Sequence, residues 1–167
     1  MGIAIRPGTD EDIPWIQKLM AEGTRDGHFG QTVPHQALQM LKQILAKRPF
    51  TMLTLEDDRP KYISVMGELA VAEIDGVAVS FLVCMRYEDR IELHLASTNN
   101  AHRRQGAFKA LVEHSVEDNP SGLRIIARCY RKSTWAKLAL TRLGFEVTKD
   151  GNPAEFAYRH KIQGKRT

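Results

Sequence analysis

Two ionisable residues, Glu92 and His94, stand two positions apart in the stretch Ile91-Glu-Leu-His-Leu-Ala-Ser-Thr98, and a basic, glycine-ended segment, Arg103-Arg-Gln-Gly106, follows within ten residues. A carboxylate or an imidazole can take the proton that an alkyl amine, with a pKa near ~10.4, must lose before it attacks a carbonyl carbon. Histidine titrates near ~6.5, so His94 is a natural proton acceptor at neutral pH. Arg103 and Arg104 supply forked donors suited to phosphate oxygens. Gly106 lacks a Cβ and lets an anion come close to the backbone. The chemistry on offer is proton abstraction beside a phosphate cradle.

The elements that must position these groups are a strand, a loop and a helix. Alternation places Ile91, Leu93 and Leu95 on one face of an extended chain and Glu92, His94 and Ala96 on the other. The segment is then polar and basic up to Gly106, after which Ala107, Ala110, Leu111 and His114 recur at helical spacing to about Glu117. A helix start carries unpaired N–H groups and roughly half a positive charge, which is where a phosphate binds.

The formal net charge of +4 favours an anionic partner without naming one. Nucleic acid stays a secondary reading: there is no zinc finger, convincing helix-turn-helix or aromatic-basic strand motif. Cys84 and Cys129 lie in apolar, strand-like surroundings and read as small core residues, not as a disulfide framework. No Cys/His spacing fits zinc, so no metal is expected. No apolar run approaches the ~20 residues needed to span a bilayer, and Met1–Thr9 has no signal-peptide core, so the cytoplasm is the expected compartment and no membrane partner is expected. With 167 residues and a hydrophobic content of 43%, the chain reads as a single domain over residues 1–160 with a basic tail at 161–167.

In chain order, Ile3–Arg6 alternates as a strand. Thr9 precedes a helix running to about Glu22, with Glu11 and Asp12 in its first turn and Pro14 tolerated early. Residues 23–32 form a loop that carries three glycines, His28 and Phe29. A second helix runs from Pro34 to Leu45. Phe50–Leu55 is a short strand candidate, and the region from Glu56 to Met66 reads as an irregular loop or a cover over a pocket. Leu69–Ile74 and Val77–Arg86 form a hairpin about a type I′ turn at Asp75-Gly76. Later come a strand at Leu123–Tyr130, a helix capped by Ser133 and stopped by Gly144, and strands at Phe145–Thr148 and Ala154–His160. The fold class is α/β of the α+β type, with a central mixed, mostly antiparallel sheet flanked by about four helices. Neither a dinucleotide-binding nor a Walker A glycine motif is present.

Three segments of this order resemble the GNAT family of acetyl-CoA-dependent N-acyltransferases. Ile3-Ala-Ile-Arg-Pro-Gly-Thr-Asp-Glu-Asp-Ile13 is similar to the family's first strand and helix start. Arg103-Arg-Gln-Gly-Ala-Phe108 is similar to its pyrophosphate loop. Ser133 to Phe145 is similar to its late helix, which ends in Leu-Gly-Phe.

The resemblance implies an N-acetyltransferase that moves an acetyl group from acetyl-CoA to a primary amine, of a small molecule or a protein, by direct attack in a ternary complex without a metal. It places the coenzyme A pyrophosphate on the backbone of Arg103, Arg104, Gln105, Gly106, Ala107 and Phe108. It lays the pantetheine arm along Ala96, Ser97 and Thr98, with Ser133 where a family Asn contacts the arm. Glu92, fourteen residues before Gly106, matches the catalytic Glu of the histone-acetylating members. The chain departs from the pattern at Phe108, where Gly or Ala is usual, and at Leu140, where many members carry the Tyr that protonates the leaving thiolate. Tyr130, Ser133, Thr134 or water is then left for that proton. A non-catalytic acyl-CoA-binding or regulatory module and a nucleic-acid binder are the alternative readings, and a homodimer is left open.

Overall fold

The computed structural model describes residues 2–160; the basic tail expected over 161–167 lies outside the described residues. In chain order the elements are β1 (Ile3–Pro7), α1 (Ile13–Arg25), α2 (Val33–Leu45), β2 (Phe50–Glu56), β3 (Arg59–Ile74), β4 (Val77–Arg86), β5 (Arg90–Thr98), α3 (Ala107–Glu117), β6 (Arg124–Cys129), α4 (Thr134–Arg142), β7 (Phe145–Lys149) and β8 (Ala154–Tyr158). The sheet runs β1-β3-β4-β5-β6-β8-β7, with β2 paired to the outer half of β3. Every pairing is antiparallel except that of β5 with β6. A parallel neighbour requires a crossover, and α3 supplies it.

Each face of the sheet is covered by one helical layer. On one face α3 and α4 pack over Leu82, Ile91, Leu93, Ile125 and Phe156, with Leu111 and Leu140 as their buried contributions. On the other, α1 and α2 bury Ile16, Met20, Leu41 and Ile44 against Phe81, Val83, Met85 and Leu95. Both cysteines are free and buried, as their surroundings predicted, and burial pushes each thiol up to about 11, so neither is a nucleophile at neutral pH.

α1 is anchored by a buried charge. Asp12 is only 2% exposed, at the end of a 3-10 turn, Asp10–Asp12, that leads into the helix. Its carboxylate accepts from both terminal nitrogens of Arg6 at 2.8 and 2.9 Å, from the Thr9 N–H at 2.8 Å and from the Trp15 indole at 2.9 Å. Burial alone would raise this carboxyl; the Arg6, Thr9 and Trp15 hydrogen bonds outweigh it and hold the group at about 2. The helix also runs past Glu22 to Arg25, and the Phe29 ring sits against Gly23, where a Cβ would lie 2.7 Å from that ring.

Two expectations are corrected. Residues 56–66 are neither loop nor cover: β3 is sixteen residues long, and β2 pairs with it from Phe50↔Val65 to Glu56↔Arg59. The turn between them is Asp57-Asp58, with φ of 52° and 60°, a left-handed two-residue turn made without glycine. Aspartate tolerates that region, but no Asn-Gly or Asp-Gly pair marks it in the sequence. The second correction concerns β5. Val83 faces Leu95 while Cys84 faces Leu93, which leaves His94 as the extra residue of a bulge. The bulge reverses the alternation, so Leu93 packs under α3 and Leu95 packs under α1 and α2, instead of sharing a face.

Candidate functional site

The bulge lies where the sheet divides. β5 pairs with β6 only from Arg90↔Arg124 to Leu93↔Ala127, whereas its other edge stays paired with β4 as far as Thr98↔Ser80. From Leu95 to Thr98, β5 therefore presents an edge with no strand partner among the described residues, and the expected arm-binding residues Ala96, Ser97 and Thr98 all fall on it. Thr98 is held at 2.8 Å by the hydroxyl of buried Ser80, which also donates to the Ser97 carbonyl at 3.0 Å.

Glu92 sits at the point of the fork. It is 4% exposed and has three polar neighbours: the Tyr87 hydroxyl donates to Oε2 at 3.2 Å, Arg128 Nη1 donates to Oε1 at 3.3 Å, and His94 Nδ1 is 3.5 Å from Oε1. Burial pushes the Glu92 carboxyl up, but the His94 hydrogen bond and charge, then Arg128 and Tyr87, bring it below the ordinary carboxylate range. It is an ionised carboxylate at neutral pH. The same burial and charge push the Tyr87 hydroxyl up to about 12, so Tyr87 remains a donor. Beyond Glu92 the charges continue through Arg128 to Glu155 at 3.7 Å and on to Arg124 at 3.4 Å.

The segment expected to cradle phosphate starts with a short turn and ends at a glycine. Asn100–His102 is a 3-10 turn, Asn99 caps it by accepting from the Ala101 N–H at 3.0 Å, Arg104 is left-handed at φ 63°, and Gly106 is left-handed at φ 93° as the N-cap of α3. No side chain caps that helix, and the first bond into it runs from the Ala110 N–H to the Gly106 carbonyl, so the N–H groups of Ala107, Phe108 and Lys109 lie ahead of the intrahelical ladder. A Cβ built on Gly106 would meet only Ile3 Cδ1, at 3.4 Å, so the space before the helix start is open. Phe108 turns its ring against the core under α3, which leaves its backbone free to face outward.

The side chains of this segment are less uniform. Gln105 reaches back to the Ala101 carbonyl at 3.5 Å. Arg103 is exposed, and Arg104 lies over the ring of Trp135 at 5.0 Å, spanning from the α3 loop to the start of α4. Ser133 stands at the N-cap of α4 but does not cap it: its hydroxyl is 2.9 Å from His28 Nδ1, tying the loop between α1 and α2 to α4. Leu140 is buried in the core, so position 140 of α4 offers no hydroxyl for proton transfer. Among the described residues no three His, Cys, Asp or Glu side chains gather as a metal site, and no helix is long and apolar enough to cross a membrane.

The structure thus brings Glu92 and His94 together at the fork and places Ala96, Ser97 and Thr98 on the open edge. Arg104 and Ser133 both engage the α4 end, Arg104 through Trp135 and Ser133 through His28. Sequence reasoning missed Tyr87, Arg128 and His28 as partners of these groups. Tyr87 lies five residues before Glu92 across a tight turn and was within reach of a hairpin argument; Arg128 and His28 arrive from other elements and leave no local signal.

No protein-family model matches the sequence, and a comparison with curated proteins returns no match. Solved structures do match. The PaiA N-acetyltransferase of Thermoplasma acidophilum, crystallised with coenzyme A, is 13% identical with a TM-score of 0.70 over 96% of this chain and 100% of its own. A GNAT-family acetyltransferase of Staphylococcus aureus is 10% identical with a TM-score of 0.71, again over 96% and 100%. N-acetylglutamate synthase of Neisseria gonorrhoeae, complexed with coenzyme A and N-acetyl-glutamate, is 15% identical with a TM-score of 0.68 over 96% of this chain and 36% of its own. At these identities the likeness concerns backbone arrangement, and on that ground the chain has the fold of the GNAT acetyltransferases.

Proposed function

We propose that this protein transfers the acetyl group of acetyl-CoA to a primary amine by direct attack within a ternary complex. The observation that carries the reading is the fork: a strand edge, Leu95–Thr98, with no strand partner among the described residues, opens beside a buried carboxylate, with an uncapped helix start one loop away. The solved structures of this fold that hold coenzyme A support the choice of donor.

In this reading the N–H groups at the start of α3 and the arginines of 103–104 hold the pyrophosphate. The open edge at Ala96–Thr98 pairs with the amide groups of the pantetheine arm as an added strand would. The ionised Glu92 accepts the ammonium proton, directly or through water, with His94 as its neighbour in the hand-off. The free amine attacks the thioester carbon, and backbone N–H groups at the bulge stabilise the oxygen as it gains charge. The carbon–sulfur bond then breaks, and the thiolate leaves with little help, since its pKa of ~8.5 makes it a tolerable anion. Tyr130, Ser133, Thr134 or water returns the proton.

A second reading is favoured by Leu140: with a core leucine where an acid would stand, the protein binds acyl-CoA without turning it over. Calorimetric titration with acetyl-CoA tests both, and absence of binding refutes both. A thiol-release assay over a panel of small amines and lysine peptides separates them, because only the transferase releases coenzyme A in proportion to acceptor.

A further inference from the structure

The β2–β3 hairpin has two apolar faces, and the fold uses one of them. Its inner face packs Phe50, Met52, Ile63 and Val65 with the α1–α2 side of the core. Its outer face shows Leu53 at 57% exposure, Leu55 at 69% and Tyr62 at 74%, with Leu53 and Tyr62 directly opposite each other. Among the described residues, β2 pairs with β3 alone. The other two sheet edges are blunted: β1 is five residues long with Arg6 and Pro7, and β7 is five residues long with Glu146 and Lys149. From Thr51 to Leu55, β2 has no charge, no proline and no bulge.

We infer that this edge pairs with the same edge of a second copy of the chain, in one register. A two-fold axis normal to the sheet reverses the strand while keeping the outer face outward on both copies, so a residue must face itself at the axis or face another of the same orientation. The pair flanking a two-residue turn is a hydrogen-bonded one, so Phe50, Met52, Thr54 and Glu56 bond to β3, and Thr51, Leu53 and Leu55 direct their N–H and C=O groups outward. With Leu53 opposite the partner's Leu53, Thr51 faces the partner's Leu55 and Leu55 faces the partner's Thr51. Every outward group is then matched. A shift of the axis by one residue toward the N-terminus sets Leu55 against the partner's Pro49, which has no N–H.

Two independent features agree with this register. It places Arg48, just before β2, opposite the partner's Asp58 in the acidic turn, once at each end of the contact. It also lines up Tyr62, Leu53, the partner's Leu53 and the partner's Tyr62 as one apolar row across four strands. The hairpin reaches the fork, because the Tyr87 hydroxyl that donates to Glu92 lies 3.5 Å from Met52 Sδ. Pairing of the outer edge therefore steadies the strand that Tyr87 rests on.

Sedimentation or light scattering on the full chain, from about 5 to 200 μM, tests the inference. It predicts twice the 18.9 kDa of one chain. Leu53→Lys and Leu53→Asp, each setting like charges at the axis, reduce the mass to one chain while the melting temperature of the monomer fold is kept. Mixed one to one, the two variants recover the double mass, because residue 53 faces residue 53. A wild-type monomer throughout assigns the edge to a strand of another protein or to none, and overturns the inference. A dimer that survives both substitutions, or a mixture that stays monomeric, overturns the register. Acetyl-CoA titration of the same variants is independent of this outcome, since the pairing does not rest on acetyl transfer.

Discussion

Gly106 and Gly144 make a matched pair for testing the phosphate cradle. Both are left-handed, at φ 93° and 97°, and a Cβ on either meets a single side chain at ordinary or slightly tight distance, Ile3 Cδ1 at 3.4 Å for Gly106 and Tyr158 Cε2 at 3.5 Å for Gly144. Alanine at a left-handed position costs roughly 1–2 kcal/mol, and the stiffer unfolded chain offsets about 0.4–1 kcal/mol of it. Gly106→Ala and Gly144→Ala should each lose about 1 kcal/mol, a fall in melting temperature of about 2–4 °C for a chain of this size. They should differ in binding. The methyl at position 106 projects before the α3 start, where a phosphate oxygen must come within about 2.8 Å of an N–H. Gly106→Ala should weaken acetyl-CoA at least about tenfold in calorimetric titration, equivalent to about 1.4 kcal/mol, and leave pantetheine, which lacks the pyrophosphate, unaffected. Gly144→Ala should leave both unchanged. Equal acetyl-CoA affinities in the two variants, alongside equal stability losses, would show that the pyrophosphate does not rest on this loop.

Three further outcomes follow from the geometry. The Asp12 carboxyl lies near 2 in the fold against 3.8 in the free residue, so its contribution to stability is complete above pH ~4 and is lost as pH falls toward 2. Discounting for the part-exposed Arg6 it amounts to about 2 kcal/mol; Asp12→Asn should abolish that increment in acid denaturation curves, and an unchanged acid limb would refute it. Glu92→Gln should reduce kcat by about 10²–10⁴ with acetyl-CoA affinity held. Because the Glu92 carboxyl is held below the ordinary carboxylate range, it stays ionised from pH 5 to 8 and should give kcat no acid limb of its own there; full activity in both Glu92→Gln and His94→Ala would remove this pair from the mechanism. Ser133→Ala breaks the His28 contact, worth about 0.5–1.5 kcal/mol, and should speed hydrogen exchange across residues 26–32, whereas unchanged exchange would show that the contact does not tether the loop.

Much of the scaffold was legible because its signals are local. The Asp75-Gly76 turn, the apolar stripe of α2 and the Gly144 stop each follow from a few adjacent residues, and the structure returns a turn at 75–76 with φ of 49° and 82°, a helix over Val33–Leu45 and a left-handed Gly144. The glycine-ended basic segment before α3 was legible for the same reason: Gly106 is an N-cap with an open first turn. The Asp57-Asp58 turn was not, because two aspartates adopt left-handed φ here without the glycine that announces such turns, and half of β3 was hidden with it.

The chemistry of the fork belongs to tertiary structure. Sequence placed Glu92 and His94 near each other through strand spacing, but strict alternation set Leu93 and Leu95 on one face, and the bulge at His94 puts them on opposite faces. Whether an extra residue is accommodated depends on the partner strand β4, which no local pattern encodes. The parting of β5 from β6 after Leu93, the approach of Arg128 to Glu92 and the reach of His28 to Ser133 join residues 36 and 105 positions apart. Outside residues 56–66, the sequence by itself determined which elements form and which residue types they carry. Only the folded sheet decided where one strand loses its neighbour, and a carboxylate at that gap, buried and ringed by donors, differs from any other glutamate on a strand.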